Sequence, residues 1–91
     1  MAKKYIWILM GRTGEYSETI EWIVATFQSG KDAEFVKLLT QDEAQKIMQE
    51  SHDYSIYGGN KYDKDMKIYD HKILYFIFRV PYYPKKEKKN V

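Results

Sequence analysis

The sequence predicts an α+β domain in which a three-stranded antiparallel sheet packs against one helix. Two segments, residues 4–10 and 73–80, are apolar or aromatic at nearly every position, which is typical of strands covered on both faces. A β-branched and aromatic segment, residues 20–27, follows the first of them. Apolar residues at helical spacing fill the region before the last strand. The predicted order is therefore ββαβ.

The first strand is expected over residues 4–10, and alternation separates its side chains into two sets. The sets are Tyr5, Trp7 and Leu9 on one face, and Ile6, Ile8 and Met10 on the other. Residues 11–19 are polar and contain Gly11 and Gly14, which predicts a loop rather than a longer strand. Residues 20–27 then form the second strand of a hairpin with a long connection.

A helix is expected to begin after Ser29, whose side-chain oxygen can accept a hydrogen bond from a free backbone N–H at the helix start. Asp32 favours the same start because it is negative in the first turn. Residues 40–43, which begin with Thr40 and end with Glu43, read as a second capping box. The pattern therefore predicts either a break at Thr40 or one kinked helix that ends near Ser51.

Residues 54–70 are polar, rich in tyrosine and interrupted by glycines, which predicts a loop with a short extended segment at 66–69. The last strand follows over residues 73–80 and is closed by Pro81 and Pro84, because proline cannot donate to a strand ladder. Short connections and a right-handed crossover favour a split arrangement. The helix then joins two parallel outer strands, and the first strand lies antiparallel between them.

The composition indicates one soluble domain over residues 1–84 and a basic flexible tail over residues 85–91. The tail carries a net charge of +3 against +2 for the whole chain, so the remainder is near −1. With only two arginines and no basic stripe, the chain is not expected to bind nucleic acid. No membrane helix and no signal peptide are expected, and the lack of cysteine fits a reducing interior. A cytoplasmic location is expected.

One helix can cover only one face of such a sheet, although the first and last strands carry large apolar residues on both. The sequence therefore predicts that the loop at residues 54–69 folds over the second face, or that a second copy or a partner covers it. A bare face is expected to expose Tyr5, Trp7, Ile73, Tyr75 and Ile77.

Few residues suggest chemistry. A set of imidazoles and carboxylates suited to Zn²⁺ or Mn²⁺ consists of His52, Asp53, Asp63, Asp65, Asp70 and His71. Their spacing matches no established metal motif, so neither a metal nor a cofactor is expected. No serine has a nucleophile-elbow sequence, and no pair of carboxylates has the character of an acid and its base. The chain is therefore not expected to be an enzyme.

The segment from Gly11 to Gly14 follows a strand as a phosphate-binding loop does, but it lacks the lysine and the Ser/Thr of such loops and precedes a strand. A turn with two flexible glycines is the simpler interpretation. Nine tyrosines in 91 residues favour a recognition surface over a catalytic pocket. The expected binding residues are Arg12, Thr13, Glu15, Tyr16, Ser17, Tyr57 and Tyr62.

Residues 5–17, YIWILMGRTGEYS, followed by Glu21 and Trp22 and then a helix, resemble a family of short uncharacterised phage and bacterial proteins that share a GxTGEYS…W segment. The resemblance covers about the first forty residues. It implies the ββαβ plan and a phage or prophage setting, and it carries over no catalytic residues.

These observations lead to the expectation of a small phage-type accessory protein that acts in the bacterial host cell by binding a macromolecule. The most specific function expected for such a protein is inhibition of a bacterial defence system, such as a CRISPR effector. A homodimer is one of the arrangements that the apolar second face of the sheet predicts. The alternative is a module that binds a small ligand or nucleotide with the loop from Gly11 to Ser17.

Overall fold

A three-stranded antiparallel sheet is the centre of the fold, and the predicted α+β class is confirmed. The computed structural model describes residues 4–83, so the predicted basic tail lies outside the described residues. The elements are β1 (Lys4–Thr13), a 3₁₀ turn (Tyr16–Glu18), β2 (Ile20–Phe27), α1 (Gly30–Glu50), β3 (Ser55–Tyr57), β4 (Lys67–Tyr69) and β5 (Ile73–Tyr82). β1 lies between β2 and β5 and is antiparallel to both, as predicted. β3 and β4 form a separate two-stranded sheet.

β1 is longer than the sequence predicts, because it continues from Met10 to Thr13. Gly11, which was expected to break the strand, pairs with Trp22 of β2 and Tyr75 of β5. A Cβ atom on Gly11 would lie 2.6 Å from Cε2 of Trp22. The glycine therefore leaves room for the indole to lie against the strand, and its role is packing rather than turning.

α1 is one continuous helix that ends at Glu50, so of the two predicted alternatives the single helix ending near Ser51 is confirmed and the break at Thr40 is wrong. The Thr40 hydroxyl donates to the Val36 carbonyl oxygen four residues earlier, at 2.6 Å, instead of capping a new helix. The predicted start is confirmed, since Ser29 Oγ accepts from the backbone N–H of Asp32 at 3.2 Å. Between residues 4 and 83, no helix combines the length and apolarity that crossing a bilayer requires.

β5 continues past its predicted end at Val80 and includes Pro81, which pairs with Tyr5. This is possible because β5 is an edge strand of its sheet, and an edge strand tolerates a residue without an N–H. The segment predicted as a polar loop with an extended stretch is extended at β4, and it also forms β3, which the sequence did not reveal.

The hydrophobic core lies on one side of the sheet. Its buried members are Leu9 of β1, Ala44 of α1, Met66, Ile68 of β4 and Tyr75 of β5. Residues of the 54–70 segment and of α1 therefore cover the same side, which we call the helix face. Of the predicted alternatives for the second face, coverage by this segment is wrong, because Met66 and Ile68 complete the core beside α1. Coverage by a second copy or by a partner stays a prediction.

A buried carboxylate fixes the 54–70 segment to the helix face. Asp63 is only 4% exposed. Its Oδ2 atom accepts from Trp22 Nε1 at 2.9 Å and from the Tyr75 hydroxyl at 2.7 Å. Its Oδ1 atom accepts from the backbone N–H of Asp65 at 3.2 Å. One side chain thus joins the segment to both outer strands of the sheet.

This arrangement predicts an alkaline limit to stability. Burial raises the pKa of the Tyr75 phenol above its usual value of 10.0, and the hydrogen bond to Asp63 raises it further. The unfolded chain loses this proton at about pH 10 while the folded chain keeps it, so stability is fully present below that pH and falls above it. We expect Tyr75→Phe to reduce the slope of unfolding free energy against pH above pH 10 by up to about 1.4 kcal/mol per unit.

Urea titrations between about pH 9 and 12 measure that slope. Tyr16→Phe is the control for loss of a phenol hydroxyl alone, because the Tyr16 side chain is almost fully exposed. Equal slopes for wild type and Tyr75→Phe would contradict the prediction.

The opposite side of the sheet, which we call the open face, is apolar and lies away from the core. Its apolar side chains are Ile6, Ile8, Met10, Ile23, Leu74, Phe76, Phe78 and Val80. Within residues 4–83, neither the core nor the partly buried side chains packed against it include any of these eight. Ile23, Leu74 and Phe78 remain 59%, 50% and 41% exposed.

The set expected on a bare face, namely Tyr5, Trp7, Ile73, Tyr75 and Ile77, belongs instead to the helix face. Tyr75 is buried, and Ile73 and Ile77 pack against the core. Trp7 lies beside the helix start, because a Cβ on Gly30 would be 2.9 Å from its indole ring. The alternation along β1 was predicted correctly, whereas the choice of the covered side was wrong.

Candidate functional site

The turn between β1 and β2 is held in one shape by local hydrogen bonds. Gly14 has φ = 90°, and a Cβ there would lie 2.4 Å from the Glu18 carbonyl oxygen. The backbone N–H of Glu18 donates to Glu15 O at 2.9 Å. The Thr19 N–H and hydroxyl both donate to Tyr16 O, at 3.2 and 2.8 Å. The polar residues after β1 therefore form a compact turn rather than an open loop.

Tyr16 stands out within this turn. Its side chain is 92% exposed, and its φ of 54° is in the left-handed region that non-glycine residues rarely adopt. Such a conformation costs about 1–3 kcal/mol and persists only where the surroundings impose it. The turn thus holds a large aromatic side chain in solvent at a cost in backbone energy.

A cleft of about 280 Å³ separates the turn from the region where β4 ends and β5 begins. We call it the Tyr16 cleft, and its lining consists of Gly14, Glu15, Tyr16, Ser17, Glu18, Tyr54, Tyr69 and Asp70. The lining contains three tyrosines and three carboxylates. Asp70 also has a positive φ, 58°, so two of the three non-glycine residues with this conformation in residues 4–83 line one cleft.

Two long-range contacts join the walls of the cleft. Thr13 is 2% exposed; its hydroxyl donates to the Lys72 carbonyl oxygen and accepts from the Tyr69 N–H at 2.8 Å. Lys72 Nζ lies 2.9 Å from Glu15 Oε2, and this hydrogen-bonded partner raises the pKa of the lysine. Of the three lining carboxylates, Glu15 is therefore neutralised, while Glu18 and Asp70 are exposed to solvent.

The predicted binding residues are divided among several places. Glu15, Tyr16 and Ser17 meet in the Tyr16 cleft. Thr13 lies behind it and joins its walls. Arg12 points to the open face, where its guanidinium contacts Glu21 Oε2 at 2.6 Å and lies 5.2 Å from the Phe76 ring centre.

Of the two remaining predicted tyrosines, Tyr57 reaches the rim of the cleft. Its hydroxyl is 3.4 Å from that of Tyr69, and the rings meet edge to face with centres 5.9 Å apart. This hydrogen bond raises the pKa of the Tyr69 phenol. Tyr62 is not part of the lining and lies beside Lys61.

Five lining residues were absent from the predicted binding residues: Gly14, which lies among them in the chain, and Glu18, Tyr54, Tyr69 and Asp70. Glu18 follows Ser17 directly and could have been included. The other three come from segments about forty or more positions later in the chain. The only sequence signal for them was the abundance of tyrosine between residues 54 and 70.

The candidate metal-binding residues do not gather into a site in the part of the chain that the structure describes. Residues 4–83 contain no group of three or more His, Asp or Glu side chains placed to hold an ion. Asp63, one of the candidates, has the structural partners described above.

The Tyr16 cleft is thus an aromatic and acidic concavity with one strongly exposed tyrosine, held by a rigid turn and by the buried Thr13. Comparison of the chain with family models, curated proteins and solved structures finds no match.

Proposed function

We propose that this protein acts by binding a protein partner at the Tyr16 cleft rather than by catalysis. The observation that carries the proposal is Tyr16 itself, an aromatic side chain that is 92% exposed on a turn in a costly backbone conformation. Tyrosine is enriched among the residues that dominate binding energy at protein interfaces. The backbone that carries this side chain is held before binding by the hydrogen bonds of the turn, which lowers the entropy lost on association.

The chemistry of the lining favours a partner segment that carries lysine or arginine. Glu18 and Asp70 supply negative charge beside Tyr16, Tyr54 and Tyr69. A cationic side chain gains from the carboxylates and from the aromatic rings together. A phosphate group is repelled by the same carboxylates, so a protein partner is favoured over nucleic acid.

The alternative of a nucleotide site in the segment from Gly11 to Ser17 gains little support. Gly11 packs against Trp22 within the sheet, and Arg12 is paired with Glu21 on the open face. Lys72, the cation beside the turn, is paired with Glu15. Arg12 and Lys72 would each have to break an ion pair with a glutamate before they could bind a phosphate.

We expect Tyr16→Ala to weaken partner binding about thirtyfold or more, since loss of a central aromatic anchor often costs about 2 kcal/mol. The fold should be unaffected, because the side chain makes few contacts. A partner captured from a bacterial lysate and identified by mass spectrometry supplies the ligand for calorimetric titration. Tyr83→Ala is the matched control, because Tyr83 is also exposed, at 62%, and does not line the cleft. Equal affinity for both variants would contradict the proposal.

The narrower form of the proposal is that the partner belongs to a bacterial defence complex, such as a CRISPR effector. It is supported by the resemblance of residues 5–17 to phage proteins and by the small size of the chain. A plasmid-interference assay tests it with the same two variants. Wild type and Tyr83→Ala should protect the targeted plasmid, and Tyr16→Ala should not. If wild type protects the plasmid against none of the defence systems tested, the proposal of a defence-complex partner is rejected. Binding to another partner would still be tested by the calorimetric titration.

A further inference from the structure

We propose that the open face is the interface of a homodimer, in which the sheets of two copies pack face to face across a two-fold axis. The centre of this face is formed by two cross-strand pairs, Ile8 with Phe78 and Met10 with Phe76. The Phe76 and Phe78 rings stack with centres 6.5 Å apart. Face-to-face packing of two twisted sheets is the arrangement of β-sandwiches, with a layer of interlocking side chains about 10 Å thick.

The exposed apolar area of the face is large enough to form the centre of a dimer interface. At roughly 200 Å² for a large apolar side chain, Ile23, Leu74 and Phe78 alone offer about 300 Å² at their exposures of 59%, 50% and 41%. The five other apolar side chains of the face are half-buried and add to this area. The apolar patch is therefore of the size that marks an interaction surface on a protein of this kind. A standard specific interface buries roughly 800 Å² per partner, so the polar rim of the face would supply the remainder.

The charge on the face favours a second copy over a charged partner. Arg12 is the cation beside the apolar centre, and Glu21 of the same face neutralises it at 2.6 Å. The apolar centre of the face is therefore next to a neutral ion pair, which does not attract the phosphates of nucleic acid or of an anionic membrane. When the strands of the two copies run antiparallel, Lys4 at one end of the face approaches the pair of Arg12 and Glu21 on the other copy, so the negative Glu21 meets a positive charge.

The rest of the chain is poorly suited to cover the face. Of the eleven residues outside 4–83, six are charged, including four lysines in residues 85–91. Burying such side chains against phenylalanine and isoleucine is unfavourable. A second copy instead brings the same apolar surface, and a two-fold interface requires only that one surface complement itself.

The Tyr16 cleft lies outside this interface, so the dimer does not depend on the proposed function. A dimer would carry two such clefts. Loss of the dimer appears in the mass of the particle, whereas loss of cleft function appears in partner affinity, and the two failures are therefore distinguishable.

Light scattering after size-exclusion chromatography tests the proposal across a dilution series. Wild type should have twice the mass of one 10.9 kDa chain. Ile23→Lys should weaken the dimer at least tenfold, because it places a charge in the apolar interface. Leu38→Lys on α1 is the matched control, with an exposed apolar side chain of almost equal exposure, 58% against 59%, and it should remain dimeric. Circular dichroism confirms that both variants are folded.

Cross-linking supplies a second measurement that does not depend on a destabilising charge. The chain has no cysteine, so Met10→Cys and Leu38→Cys each carry a single thiol. A short bis-maleimide should join two Met10→Cys chains near the centre of the interface and should not join two Leu38→Cys chains. Wild type that stays monomeric at about 1 mM overturns the proposal. A dimer that is weakened by Leu38→Lys but not by Ile23→Lys also overturns it. A third contradicting result is a monomer that binds neutral phospholipid vesicles through this face.

Discussion

Replacing Asp63 with alanine is expected to lower the free energy of unfolding by about 3–5 kcal/mol. The carboxylate accepts hydrogen bonds from the Trp22 indole at 2.9 Å and from the Tyr75 hydroxyl at 2.7 Å. Alanine leaves the buried Tyr75 hydroxyl and the part-buried Trp22 N–H without a partner, and each unsatisfied donor costs about 1–3 kcal/mol. Loss of the carboxylate also frees the backbone N–H of Asp65.

This loss is a large share of the roughly 5–15 kcal/mol by which small domains are stable, and it should lower the melting temperature by at least about 12 °C. Asp65→Ala is the control, because the same side chain two positions later is exposed. Asp63→Asn retains an acceptor oxygen without the charge, so it should fall between wild type and alanine. A melting temperature for Asp63→Ala within about 2 °C of wild type would show that the carboxylate contributes little.

Gly14→Ala is expected to destabilise the fold by about 2–4 kcal/mol and also to weaken partner binding. Two costs add at this position. At φ = 90°, an alanine is strained by about 1–2 kcal/mol. The new Cβ would also lie 2.4 Å from the backbone oxygen of Glu18, so the turn must shift. Because Tyr16 lies between these two residues, the shift moves the exposed ring.

Gly58→Ala separates the two costs. Gly58 has a similar φ of 67°, but the nearest atom to a Cβ there is the Lys64 carbonyl oxygen at 3.7 Å, which is ordinary contact. This variant should therefore show only the strain of about 1–2 kcal/mol and leave partner binding unchanged. Denaturant titrations give the stabilities. If both variants lose equal stability and both bind normally, the shape of the turn does not depend on the close approach at Gly14.

The architecture could be predicted from the sequence because its signals are local. Period-two alternation defined the two faces of β1, and the oxygen of Ser29 marked the start of α1. The side that α1 covers could not be predicted in this way, because both faces of β1 and β5 are apolar. Two small residues on the helix face, Gly11 and Thr13, favour packing on that side. Gly11 admits the Trp22 ring, and the Thr13 hydroxyl accepts a hydrogen bond from the backbone N–H of Tyr69, the last residue of β4.

For the candidate site too, the sequence predicted the part whose residues are neighbours in the chain and missed the rest. Glu15, Tyr16 and Ser17 are neighbours in the chain, so their association required no knowledge of the fold. The opposite wall of the cleft contains Tyr69, whose backbone N–H bonds to the Thr13 hydroxyl 56 positions away. No spacing rule connects two residues at that distance. Arg12 failed to join the cleft for a local reason, since alternation along the extended β1 turns it to the other side of the sheet.

The central position of β1 has a consequence for biosynthesis. Its longest ladder joins residues near opposite ends of the described chain, with Lys4 opposite Tyr82. The sheet therefore cannot close until β5 has left the ribosome, and contacts of such high sequence separation form slowly. Until then, the nascent chain exposes β1 with an unpaired edge and apolar residues on both sides, a species prone to aggregation. Chains truncated before residue 73 should remain in that state and be removed by chaperones and proteases.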